Sequence, residues 1–267
     1  MVRVTTTNRR GALRAGAGLV AGGALATGCG AGRDALSAAT PGSAPPARAS
    51  GHPTATSHAA PAPRAYPGQP AQITHGPRTR PQVALTFHGQ GDPDSAESLL
   101  NAAEQRGARL TVLAVGTWLD EHPGLARRIL DGGHDLGNHT QRHVSVNDLA
   151  EPEARKEITD CAERLTRLTG SIGTWFRPSR SPTASALVTR LARAAGYPHV
   201  LSYDLDSLDY TRPGADAVTR KVLAEVRGGS VVSLHFGYPD TVAALPAVLH
   251  ELDRRGLRAV TTTELLS

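Results

Sequence analysis

No stretch of the 267 residues stays strongly apolar for the about 18 positions that a membrane-crossing helix needs, so a polytopic membrane protein is excluded. Cysteine is almost absent, with two in the chain. One of them, Cys29, falls in the leader described below, which leaves Cys161 unpaired and no structural disulfide available. Cys161 sits in a helical pattern and reads as a small buried hydrophobe. Acids are nearly missing from residues 1–82, which carry nine Arg and only Asp34, whereas the other 185 residues hold 20 basic and 23 acidic side chains. The excess charge of +5 therefore belongs to the front of the chain, not to a folded basic face, and a nucleic-acid partner is not expected. No glycine-rich phosphate loop follows the first strand, which argues against a dinucleotide-binding sheet.

What the front of the chain does have is an address. Arg9 and Arg10 precede a soft apolar run from Ala15 to Gly28, the charged and short hydrophobic regions of an export signal. Thr7 to Arg14 resembles a twin-arginine signal. The run ends at Leu25-Ala26-Thr27-Gly28-Cys29, which resembles a bacterial lipoprotein signal with Cys29 as the lipidated residue; an ordinary cleaved signal is the alternative. Residues 30–82 follow with ten Pro and a single aromatic, Tyr66. Such composition buries too little apolar surface to offset its ordering entropy, so a disordered, semi-extended linker is expected there. The expected location is extracytoplasmic, as a secreted protein or one anchored by lipid, with no other membrane contact and no protein partner evident.

From residue 83 the pattern becomes regular. Short apolar runs at 83–87, 110–115, 134–137, 174–176, 200–204, 231–235 and 258–262 read as strands. Between them lie amphipathic helices near 95–106, 118–131, 151–168, 183–195, 214–227 and 241–255. Gly107, Gly132, Gly170, Gly196 and Gly256 stand where helices should stop. Seven strands joined by right-handed helical crossovers imply a parallel α/β sheet, either a distorted (β/α) barrel or an open doubly wound sheet.

Polar residues gather at the strand ends, where parallel βα folds place their chemistry. The first strand ends in His88, and the third runs into His139 and His143. The fourth ends in Arg177, the fifth reaches Asp206, and the sixth ends in His235. Each alone has a bland explanation as a cap, an ion pair or a structural histidine; together on one rim they point to a site. His139 and His143 can give two imidazoles to an ion such as Zn²⁺, whose catalytic sites hold three protein ligands and an open position. Tyr210, Phe236 and Tyr238 follow rim residues and are candidates to line a substrate groove there.

The blocks Ala84-Leu85-Thr86-Phe87, Gly133-His134-Asp135-Leu136-Gly137-Asn138-His139-Thr140-Gln141-Arg142-His143, Trp175-Phe176-Arg177-Pro178, Asp206-Ser207-Leu208-Asp209-Tyr210 and Ser233-Leu234-His235 resemble those of the polysaccharide deacetylases. These are the NodB homology domains of carbohydrate esterase family four, and the resemblance spans residues 83–266. It implies a distorted barrel of parallel strands and helices. It also implies a divalent metal, most simply Zn²⁺, and removal of acetyl groups from an N-acetylated polysaccharide such as peptidoglycan or chitin. By the resemblance His235 is the general acid, Asp206 (or Asp209) holds its imidazole, and Arg177 steadies the catalytic carboxylate.

The first block departs from that family. Where it has Thr-Phe-Asp-Asp-Gly, with a base followed by a metal ligand, this chain has Thr86-Phe87-His88-Gly89-Gln90-Gly91-Asp92. Four readings stand: His88 is the base, His88 is a third metal ligand, Asp92 folds back as the missing carboxylate, or the site is a catalytically impaired glycan binder. Two lesser departures are Ser179-Arg180-Ser181 in place of a Pro-x-Gly ending, and Tyr210 where Trp is common.

Overall fold

The computed structural model describes residues 60–267. Their elements are β1 (Gln72–Ile73), β2 (Gln82–Gly89), α1 (Pro93–Glu104), β3 (Thr111–Ala114), α2 (Gly116–Glu121), α3 (Pro123–Asp131), β4 (Asp135–Asn138), α4 (Glu151–Thr169), α5 (Ala186–Ala194), β5 (Val200–Leu201), β6 (Leu205–Asp206), α6 (Ala215–Glu225), β7 (Val231–His235), α7 (Pro239–Arg254), β8 (Arg258–Val260) and α8 (Thr262–Leu266). The central sheet runs β4-β3-β2-β7-β6 with every pairing parallel, and β8 adds to the start of β2. Single parallel bridges from Asn138 to Phe176 and from Phe176 to Val200 carry the ring from β4 to β5. The barrel is thus parallel and distorted, without a continuous ladder all the way round.

Side chains alternate along a strand, and in β2 that alternation decides the whole layout. Val83, Leu85 and Phe87 face outward into the main hydrophobic cluster under α1, α2, α3, α6 and α7. Ala84 points inward, packing with Ile73, Leu113, Trp175, Leu201, Val231, Val260 and Leu265. Thr86 and His88 share its face, so β2 carries its histidine to the mouth of the interior. A third cluster, around Ile158, Phe176, Val188 and Tyr197, seats α4 and α5. Truncating a fully buried aromatic such as Phe87 to Ala would cost about 3–5 kcal/mol.

Several expected boundaries shift for local reasons. The helix expected over 118–131 is two helices, because Pro123 cannot continue the hydrogen bonding of α2 and starts α3 instead. The strand expected at 174–176 is only the Phe176 bridge. That expected at 200–204 shortens to β5, which pairs with β1, and the separate β6 just beyond it pairs with β7. Helix α4 stops at Gly170, which takes φ 79° as a left-handed cap.

The linker expected over 30–82 is corrected for its last part. Residues 60–82 pack on the barrel: Ala60 N–H donates to the Thr169 carbonyl, Ser171 Oγ donates to the Pro61 carbonyl, and β1 pairs with β5. Tyr66 stacks on Trp175 at 5.4 Å, and His199 is buried because it accepts from Tyr66 N–H and bonds the Pro70 carbonyl. Proline does not prevent this, since a two-residue strand and a strap need few donors of their own. Residues 1–59, including the expected signal and Cys29, lie outside the described residues.

Candidate active site

Four imidazoles converge at the C-terminal ends of the strands. His88 of β2 and His235 of β7 are register partners, with ring centroids 4.2 Å apart. His139 follows β4, its ring 4.3 Å from His88 and 5.0 Å from His143. His88, His139 and His143 each offer one nitrogen, and these three atoms lie within 4.8 Å of one another. Backbone cost marks the segment: Thr140 and His143 have φ of 68° and 55°, rare for residues with a side chain.

Hydrogen bonds aim the rings. His139 Nδ1–H donates to the Arg177 carbonyl at 3.0 Å, which leaves its Nε2 as a bare acceptor. Both His139 Nε2 and His143 Nε2 are buried and have no partner. Burial holds the His88 and His139 imidazoles well below their ordinary range, with the neighbouring imidazoles pushing the same way. Burial, then Arg180, lowers His143 to about 4. The three rings are therefore neutral at neutral pH, with lone pairs in place. Such a set fits a divalent ion.

The histidine expected as general acid is braced by the second of the two carboxylates the sequence offered, Asp209. Asp209, fully buried, accepts from His235 Nδ1–H at 2.7 Å, from the His235 amide at 2.8 Å and from Thr241 Oγ1 at 2.7 Å. Asp206, expected in that place, instead accepts from the Leu208 amide and lies beside Tyr203. The reason is geometric: Asp206 ends β6, whereas the 3₁₀ turn Asp209–Thr211 swings residue 209 under His235.

Asp92 is likewise displaced from the expected cluster. It is the exposed N-cap of α1, accepting from Ser95 N–H and Ser95 Oγ. The glycines that could fold the loop back serve another purpose, since Gly91 and Gly237 touch backbone to backbone. A Cβ on Gly91 would come within 2.9 Å of Gly237 Cα. Gly89 cannot present a ligand either, because it faces outward with β2 still paired to β3. A Cβ there would meet Val112 Cγ1 at 2.9 Å and Ala114 Cα at 3.1 Å.

Arg177 is completely buried, its Nε and Nη2 spent on the Leu201 and Ser202 carbonyls, its Cζ 5.3 Å from the centroid of the Tyr203 ring. Burial lowers its guanidinium to about 10, and its Nη1 has no partner. Above the histidines opens a cavity of about 530 Å³, lined among others by His88, His143, Arg180, Asp206, Tyr210 and His235. Tyr210 and Tyr238 stand edge-on to His235 at 5.3 and 5.8 Å, and both reach the cavity. Phe236, expected there with them, is buried against Phe87 and Trp118, because it points to the outer face of its strand. His134 is structural: Leu110 N–H donates to its Nδ1.

The mouth of this parallel βα barrel carries three convergent neutral imidazoles, a donor set able to hold a metal ion, beside a carboxylate-braced histidine able to move a proton. The comparisons place the chain further. The profile of the polysaccharide deacetylase family matches residues 75–200. A peptidoglycan-N-acetylglucosamine deacetylase of Bacillus cereus is 31% identical over 194 residues, covering 71% of this chain and 90% of the relative. Among solved structures, the Bc1960 peptidoglycan N-acetylglucosamine deacetylase superposes with a TM-score of 0.68 at 27% identity, over 73% of this chain and 92% of that one. A pseudoenzyme of carbohydrate esterase family four from Bacillus anthracis shares the fold, with a TM-score of 0.70 at 24% identity over 74% and 70% of the two chains. The chain belongs to the polysaccharide deacetylase family.

Proposed function

We propose that the protein is an exported, metal-dependent deacetylase acting on the N-acetylated sugars of a cell-wall polysaccharide, with His88, His139 and His143 as its three metal ligands. The observation that carries this reading is the pair of buried, unpartnered Nε2 atoms on His139 and His143 facing a third neutral imidazole. An all-nitrogen donor set of this kind favours Zn²⁺ over harder ions. A divalent ion bound there would supply a polarised acetamide carbonyl and an acidified water. The other relatives' substrates, peptidoglycan and chitooligosaccharide, support an N-acetylated glycan as substrate. Export rests on Arg9, Arg10 and the run to Cys29.

With His88 spent as a ligand, the proton work falls to one group. Asp209 fixes the proton on His235 Nδ1, so Nε2 is free to accept the proton of the attacking water. The same Nε2 then gives that proton to the amine nitrogen as its bond to the acyl carbon breaks. Asp209 stabilises the imidazolium between the two transfers, and Tyr210 and Tyr238 hold its ring from either edge. The test is metal content and acetate release together: about one divalent ion per chain, lost in His139→Ala, with acetate freed from an N-acetylated oligosaccharide.

One observation favours a second reading, that of a glycan binder without turnover: among the described residues no carboxylate joins the three imidazoles. Tight glycan binding with no acetate released by the metal-loaded protein would establish it.

A further inference from the structure

Two charged side chains, Asp206 and Arg180, line the cavity, and they are not equally occupied. Asp206 is engaged by the Leu208 amide and by Tyr203. Arg180 is exposed, lines the same cavity, and has no carboxylate within ion-pairing distance among the described residues. Its one hydrogen bond among the described residues runs from Nε to the His143 carbonyl, at 2.9 Å. That bond holds the stem of the side chain beside a proposed metal ligand and leaves both terminal nitrogens unbonded, a planar fork of the shape that fits a carboxylate.

The surrounding chain is built to keep it there. Arg180 has φ 56°, a conformation uncommon outside glycine. On one side Ser179 is fully buried, accepting from Thr140 Oγ1 at 2.9 Å and donating to the Val144 carbonyl. On the other, Ser202 Oγ donates to the Pro182 carbonyl. A backbone in a costly conformation, pinned at both flanks, is a mark of a functional position. Arg212 also has a positive φ, 55°, but its guanidinium lies over the Tyr238 ring at 5.8 Å and does not line the cavity.

We infer that Arg180 recognises a carboxylate on the sugar held in the cavity, so that the substrate is an acidic acetamido sugar and not a neutral one. The inference rests on the proposed glycan site but needs neither metal nor turnover. Because Arg180 is bonded to the backbone of His143, the acid it binds belongs to the same sugar whose acetamide reaches the histidines.

The test measures binding of three probes to the full chain: peptide-free peptidoglycan oligosaccharides with free lactyl carboxylates, the same oligosaccharides after carboxyl reduction to alcohols, and chitooligosaccharides of equal length. The wild type should bind the acidic probe about tenfold tighter than either neutral one, the scale of one charge-assisted fork. Raising the salt should shrink that preference. Arg180→Gln should bring the three affinities within about twofold, Arg180→Lys should fall between, and Arg212→Gln should keep the preference. Equal binding of all probes by the wild type, a preference that survives Arg180→Gln, or one that disappears in Arg212→Gln overturns the inference, as does no binding at all. Carboxylate-dependent binding without acetate release would leave this inference standing and remove the deacetylase reading. Acetate release without the preference would do the reverse.

Discussion

Replacing Asp209 by Asn tests the proton relay with almost no change of shape. The carboxylate takes three hydrogen bonds, two of them from His235 and one from Thr241. Asn turns one of its oxygens into an NH₂ group, so at least one of those donors then faces another donor. A hydrogen bond to a buried charged group is worth about 1.5–3 kcal/mol, so the loss of stability should be about 2–4 kcal/mol. The effect on turnover should be larger. An amide NH₂ facing Nδ1 favours the tautomer with its proton on Nε2, which can no longer accept from water. The barrier should rise by about 4 kcal/mol, roughly a thousandfold in rate. Asp206→Asn, whose carboxylate does not touch His235, should stay within about threefold. Initial rates of acetate release and urea unfolding measure the two effects. Nitrogen-15 shifts of the His235 imidazole report the tautomer even if turnover is absent. An Asp209→Asn protein with the wild-type tautomer, or with near-normal turnover while Asp206→Asn is impaired, would refute the relay.

Three further outcomes are expected. His88→Ala and His139→Ala should each lose tightly bound Zn²⁺, whereas Asp92→Ala should keep it and only lower the melting temperature slightly, because Asp92 caps α1; elemental analysis of dialysed protein decides it. Zinc affinity, measured against a chelator of known pH dependence, should stay nearly flat as pH falls from 8 through about 6.5. The folded imidazoles titrate well below that, His143 at about 4. For the metal-free chain the sign is the opposite of protective. Above about 6.5 the imidazoles are neutral in both states and contribute nothing, whereas between about 6.5 and 4 the unfolded chain takes up protons that the folded one does not. Its stability should therefore fall across that interval, which denaturant midpoints at each pH would show. A chain beginning at residue 83 should be markedly less stable than one beginning at residue 60, because it exposes Leu201 and the face of Trp175; circular dichroism melts compare them.

The architecture was legible because its signal is periodic. Alternating strands and amphipathic helices, with polar residues at the strand ends, place His88, His139, Arg177 and His235 on one rim before any coordinates. Residues whose position depends on a turn were less legible. Asp206 and Asp209 are three apart, and only the 3₁₀ turn after β6 decides which one lies under His235. Phe236 follows a rim residue, but strict alternation sends it outward; the period of two that placed His235 could have excluded it. Asp92 stands just before Pro93 and opens a helical pattern, a capping signal that outweighs its resemblance to a ligand. The strap over residues 60–82 hid behind its composition, since proline content says little about what a few well-placed contacts can hold.

That strap also has a mechanical meaning. Its first contacts run to Thr169, Ser171, Trp175 and His199, residues placed where helices hand the chain to the starts of strands, the end of the barrel away from the histidines. Tension applied through the chain ahead of residue 60 would be taken up first at that end, by the Thr169 carbonyl and the stacked Tyr66. The mouth, which the strap reaches only further along, where Gln72 accepts from the Ala184 amide, would be loaded after those anchors had given way.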